Sequence, residues 1–136
     1  MLVGSPTTRD AADVPRQVCH RCMGKDVDPA NPFGARPCEG NDTAALPSTP
    51  CPDGIRSTIT FPTCWDNKTL DSPDHKSHIV YPQNGTFETR GDCPATHPVR
   101  TPQVMFEVMW NTQEFNDPEL WPEDGSQPFV YSMGDP

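Results

Sequence analysis

Large aliphatic and aromatic side chains are scarce in this sequence. Leu, Ile, Val and Phe together account for 22 of its 136 residues, under the roughly 20% level below which chains of high net charge cannot bury an ordinary core. No apolar run approaches the roughly 18 residues that cross a bilayer as a helix, so no membrane span is expected. Long helices are excluded too, because 18 prolines recur along the chain, and each removes a backbone donor and clashes with the preceding turn. Basic residues are few: 10 Lys and Arg against 19 Asp and Glu leave a formal charge of −9. That balance repels phosphate and argues against nucleic acid as a partner. Residues 1–17 lack a charged start followed by an apolar stretch of about 7–15 residues, so no signal peptide is visible.

Charge is unevenly placed. After Arg100 there is no Lys or Arg, while seven acids follow. A domain complete in itself rarely separates charge so sharply. The acidic stretch is expected either to meet a basic partner surface or to belong to a larger domain whose remainder is missing.

What the chain does have is cysteine. Cys19, Cys22, Cys38, Cys51, Cys64 and Cys93 form an even set in a small, core-poor chain, the signature of a disulfide framework with 15 possible full pairings. Three glycosylation sequons, at Asn41-Asp42-Thr43, Asn67-Lys68-Thr69 and Asn84-Gly85-Thr86, agree with a secretory route. Cys19-His20-Arg21-Cys22 has the spacing of half a zinc knuckle, which Cys38 and Cys51 would complete. In an oxidising compartment disulfides are the favoured reading.

The pattern of elements is mainly β: a small irregular sheet or partial sandwich with long loops, stapled by disulfides and incomplete as a domain. Residues 1–17 read as a disordered lead-in, and 18–136 as a single partial domain. Ile55 to Phe61 alternates, with Ile55, Ile59 and Phe61 on one face and Arg56, Thr58 and Thr60 on the other, between Asp53-Gly54 and Pro62. Ile79-Val80-Tyr81 is a short strand, and Asn84-Gly85 signals a turn into Thr86-Phe87-Glu88. From Val104 to Trp110, the residues Val104, Phe106, Val108 and Trp110 are expected to face the core, with Met105, Glu107 and Met109 covered on the reverse side. Phe129 to Met133 is a fifth candidate strand.

The densest polar constellation runs from Cys64 to His78. Ser72 before Pro73 is expected to cap a single helical turn, on which His75 and His78 would share a face near Asp71 and Asp74. Two imidazoles beside a carboxylate suit a divalent metal. Alternatively, Asp66, Asp71 and Asp74 would supply the two carboxyl groups that sugar hydrolysis requires. The plainer alternative is that these side chains hydrogen-bond an irregular loop. Glu107, flanked by Met105 and Met109, would have its pKa raised by desolvation and serve as a general acid, unless Arg56, Arg90 or Arg100 pairs with it. Trp65, Trp110 and Trp121 are candidate sugar-stacking groups, with Trp110 the most suited to the core. The five acids from Glu114 to Asp124 form either a calcium loop or a solvated one.

Residues from about Leu46 to Pro136 resemble a fungal secreted family known as a domain of unknown function, number nineteen ninety-six, whose members sometimes carry WSC carbohydrate-binding modules. The resemblance rests on Cys51-Pro52-Asp53-Gly54-Ile55-Arg56, Phe61-Pro62-Thr63-Cys64-Trp65-Asp66, the block Leu70 to His78, Tyr81-Pro82 and Cys93-Pro94. It continues through His97-Pro98-Val99-Arg100, Phe106-Glu107-Val108, Trp110 and Gly134-Asp135-Pro136. It implies that this chain is the C-terminal part of that domain, and it brings no established activity or cofactor. It draws attention to Asp71, Asp74, His75 and His78 as the centre of a site, with His75 and His78 as metal ligands. Function is then expected at extracellular polysaccharide of the cell wall, as a carbohydrate-active hydrolase, as a non-catalytic sugar-binding module, or as an inactive truncated product. Cys64–Cys93 and Cys22–Cys51 are the preferred pairings, with Cys19–Cys38 left over.

Overall fold

The computed structural model describes residues 1–4, 18–25, 36–84 and 91–130. Six short strands appear in chain order: β1 (Val18–Cys22), β2 (Ile55–Thr60), β3 (Cys64–Trp65), β4 (Ile79–Val80), β5 (Val99–Arg100) and β6 (Met105–Trp110). They form two three-stranded sheets, ordered β1-β2-β6 and β4-β3-β5. Two 3₁₀ turns, Gln113–Phe115 and Pro118–Leu120, follow β6. The expectation of a mainly β, disulfide-stapled fold holds. No described helix is long and apolar enough to cross a membrane.

All three disulfides pair as preferred: Cys19–Cys38, Cys22–Cys51 and Cys64–Cys93. They supply much of the interior. The buried apolar side chains among the described residues are Cys19, Cys51, Ile55, Cys64 and Ile79, so half-cystines occupy most of the space that Leu and Phe fill elsewhere. This is how a chain short of apolar residues remains folded.

The chain divides into two compact units. The first comprises Met1–Val3 and Ile59–Phe106, the second Gly4–Thr58 and Glu107–Pro136. In the first unit β3 is central and antiparallel to both neighbours, with Cys64 opposite Val80 and Arg100, and Trp65 opposite Ile79 and Val99. Backbone bonds from Asp66 to the His78 carbonyl (3.0 Å) and from Thr101 to the Thr63 carbonyl (2.8 Å) lengthen these short pairings. Tyr81 closes one end: its hydroxyl donates to the Thr60 carbonyl at 2.5 Å, and burial pushes its pKa up to about 12.

In the second unit Gly54 shapes the entry to β2. Its φ of 87° lies in the left-handed region, and a Cβ there would stand 2.3 Å from the Trp110 carbonyl oxygen, so only glycine fits.

Two expectations change. The polar face of β2 is buried rather than solvated: Arg56, Thr58 and Thr60 are all buried, in the middle strand of the sheet, with Arg56 facing Asp42 and Glu107. The reverse holds for β6. Val104, Phe106, Val108, Met109 and Trp110 are exposed instead of lining a core, since β6 is an edge strand and no described element covers it. Of the fifth candidate strand, Phe129 and Val130 lie outside any strand, and Tyr131 to Met133 fall outside the described residues. So do Gly85 to Glu88 of the expected turn and most of the lead-in, residues 5–17.

Candidate functional site

The segment from Cys64 to His78 is held by its own side chains, which bond backbone groups a few residues away. Asp66 begins it: one carboxylate oxygen accepts from the backbone N–H groups of Lys68 and Thr69, each at 2.9 Å. These donors, Thr69 foremost, hold the Asp66 pKa below the ordinary carboxylate range. Asn67 can then take a left-handed φ of 63°, a conformation that Asn tolerates. The Trp65 indole N–H donates to the Thr69 carbonyl at 2.6 Å, folding the ring against the turn.

Asp74 repeats the device more fully. Its Oδ1 accepts from the Ser72 hydroxyl at 2.6 Å, the Ser77 N–H and hydroxyl at 2.9 Å each, and the Lys76 N–H at 3.0 Å. With the Ser72 hydroxyl as the largest cause, its pKa falls well below the usual range. A carboxylate so held stays ionised and is unsuited to donate a proton.

Ser72 is the hub of this turn. Its Oγ also lies 2.8 Å from His78 Nδ1 and accepts from the His78 N–H at 3.3 Å, while the Ser72 N–H points at Nδ1 from 3.2 Å. His78 is buried. Ser72 therefore organises the turn, but as a bridge between Asp74 and His78 and not as the cap of a helical turn, which is absent. A bond from the His75 N–H to the Ser72 carbonyl, 2.8 Å, closes a tight turn, and His75 then enters the left-handed region at φ 55°. Without a helix, His75 and His78 do not share a helical face.

His75 instead pairs with Asp71. Its Nδ1 stands 2.8 Å from both Asp71 oxygens on an exposed surface, and this bond, ahead of any charge effect, lowers the Asp71 pKa. When Nδ1 donates to Asp71, the neutral ring presents its Nε2 lone pair outward. Nε2 has no hydrogen-bond partner among the described residues. His97 is different: its Nε2 donates to the Ser77 carbonyl at 2.9 Å and its Nδ1 faces Thr96 Oγ1 at the same distance.

Glu107 lies in the second unit. It is half-exposed and paired with Arg56, Nη1 to Oε1 3.5 Å, the fate foreseen as an alternative to acid catalysis. Among the described residues no group of three His, Cys, Asp or Glu side chains is arranged to hold a metal ion. In the acidic segment, Asp117 caps the Pro118–Leu120 turn and Asp124 accepts from the Ser126 N–H. The three tryptophan N–H groups are all bound internally, to Thr69, Ser57 and the Phe115 carbonyl.

Sequence reasoning missed one cluster. Asp42, with its side chain 1% exposed, bonds Arg21 directly and lies 3.6 Å from Arg56. The Cys38 N–H also donates to it at 2.7 Å. Beside this pair, the buried His20 places Nδ1 2.8 Å from Ser57 Oγ, which accepts from Trp110 Nε1 at 2.9 Å. Desolvation lowers the His20 pKa, against the opposing pull of Asp42. The alternation of β2 marked Arg56 as solvent-facing, and nothing local announced that Asp42, inside a sequon, would be buried. The sequon asparagines themselves, Asn41, Asn67 and Asn84, are all exposed.

The chain matches, over residues 1–136, the family described as a domain of unknown function (DUF1996), and it belongs to that family. The match takes in the cysteine-rich segment before Leu46, which the resemblance in sequence motifs had left out. No curated protein and no solved structure matches the chain.

Proposed function

We propose that the chain is a secreted, glycosylated module that binds extracellular polysaccharide without cleaving it, through the surface around Asp71 and His75. Its setting is supported by six oxidised cysteines and by three sequons whose asparagines reach solvent. The observation that carries the choice between binding and hydrolysis is the state of the carboxylates. Glycosidic cleavage needs one carboxyl group of raised pKa facing a second. Here Asp66, Asp71 and Asp74 are all shifted downward by hydrogen bonds, and Glu107 is engaged by Arg56. What faces solvent is the Asp71–His75 pair, whose carboxylate retains further lone pairs and whose Nε2 is a second acceptor, matched to the neighbouring hydroxyls of a sugar ring. Trp65 on β3 and Tyr81 flank this pair in the chain, and the polar hydrogens of both are already bound.

The test is retention of the full chain on insoluble β-glucan and chitin. Asp71→Ala and His75→Ala are each expected to weaken retention about three- to tenfold, the worth of one hydrogen bond. Release of soluble sugar by the wild type would overturn the reading. A second reading rests on one observation, the ring of His75 fixed by Asp71 with Nε2 outward. That arrangement suits a general base, as in removal of an ester group from a polysaccharide. It requires turnover that His75→Ala abolishes.

A further inference from the structure

The edge strand β6 has the opposite character from the loop just described. From Glu107 onward, in the second unit, Val108, Met109 and Trp110 are exposed, Met109 at 58% and Trp110 at 45%. Phe115 and Leu120, in the two turns that follow, are exposed as well. β6 occupies one end of the order β1-β2-β6, so its outer row of backbone donors and acceptors has no strand partner among the described residues. Edge strands are ordinarily protected by proline, a bulge or an outward lysine. The sequence Met-Phe-Glu-Val-Met-Trp contains neither proline nor lysine. Its one charge, Glu107, is paired with Arg56 on the adjacent strand.

We propose that this edge takes up an extended basic segment of another protein as an added strand. Backbone bonds to the free edge would give affinity, and apolar side chains at alternate positions would cover Val108 and Trp110. Charge selects the occupant. No Lys or Arg follows Arg100, while Glu107 lies in the strand and Glu114, Asp117, Glu119, Glu123 and Asp124 follow it in sequence. A second copy docking edge to edge would set these acids against their own counterparts, whereas lysines in the incoming strand would meet them favourably. The inference is independent of the glycan reading, which concerns the first unit.

The experiment uses the full oxidised chain and two labelled octapeptides, one alternating Lys and Val and the other Glu and Val. The Lys peptide is expected to bind, and raising salt from about 0.05 M to about 0.5 M is expected to weaken it about tenfold or more. Met109→Lys, at an exposed position where folding is little affected, should reduce binding by at least about tenfold. So should the pair Glu114→Lys and Glu119→Lys, which leaves the strand untouched; circular dichroism confirms that each variant is folded. Equal affinity for both peptides, no binding of either, or binding indifferent to these variants would overturn the proposal. A concentration-dependent dimer that excludes the Lys peptide would also overturn it, in favour of a second copy.

Discussion

In the Asp66–His78 loop of the first unit, polar groups are satisfied within a few residues of themselves: Ser72 reaches His78 six positions away, and Asp74 reaches Lys76 two away. In the buried cluster around β2, in the second unit, the same task is done across the chain. Arg21 meets Asp42 over 21 positions and Trp110 meets Ser57 over 53. The apolar residues are disposed differently as well, with charged groups buried beneath β2 and hydrophobic ones exposed on β6. A chain with little to bury can thus be ordered by short carboxylate-capped turns or by buried ion pairs. The turns are locally autonomous, and the ion pairs stand or fall together.

The sharpest way to separate the two regions is to remove one charge from each. Asp42→Asn leaves the sequon at Asn41 intact but strips two buried arginines of their shared partner. A loss of about 3–5 kcal/mol is expected in chemical denaturation. Removing the disulfide of the first unit by Cys64→Ala with Cys93→Ala should cost about 2–4 kcal/mol, chiefly through the unfolded chain. A smaller loss, about 1–3 kcal/mol, is expected for Ser72→Ala, which leaves Asp74 and His78 without their common hydroxyl. If Ser72→Ala were as damaging as Asp42→Asn, the contrast between local and long-range ordering would fail.

Acid distinguishes the regions more gently. The His20 pKa is lowered in the folded state from its ordinary 6.5, so the unfolded chain takes up that proton first. Its contribution is complete above about pH 6.5 and is lost as pH falls toward the folded value. Asp66, Asp71 and Asp74 are also lowered, from an ordinary 3.8; their contribution persists until pH falls below the ordinary carboxylate range. The second unit should therefore soften first on acidification, as followed by amide hydrogen exchange. His20→Gln is expected to flatten the change near pH 6 and leave the change at lower pH in place.

This contrast also explains what could be read from sequence. Asp53-Gly54 and the β2 strand are local signals, and each reappears in the fold; the cysteine framework reappears as well. The apolar alternation of β6 gave its period correctly and its burial wrongly, because alternation reports a strand but not what lies against it. For the candidate site, the residue types around Asp71 to His78 were legible. The division of labour among them was not: Ser72 engages Asp74 and the buried His78, while Asp71 and His75 pair with each other on the surface. That division turns on the left-handed backbone at His75, a conformation that histidine adopts more readily than most residues but that its presence alone does not announce.

The most direct measurement compares binding isotherms on insoluble β-glucan and chitin for the wild type, Asp71→Ala with His75→Ala, and Met109→Lys, with soluble sugar followed in the same samples. The loop variant is expected to lose about tenfold or more in affinity, the β6 variant to bind as the wild type does, and no sugar to be released. Undiminished binding by the loop variant, or sugar released by the wild type, would contradict binding without cleavage at this surface.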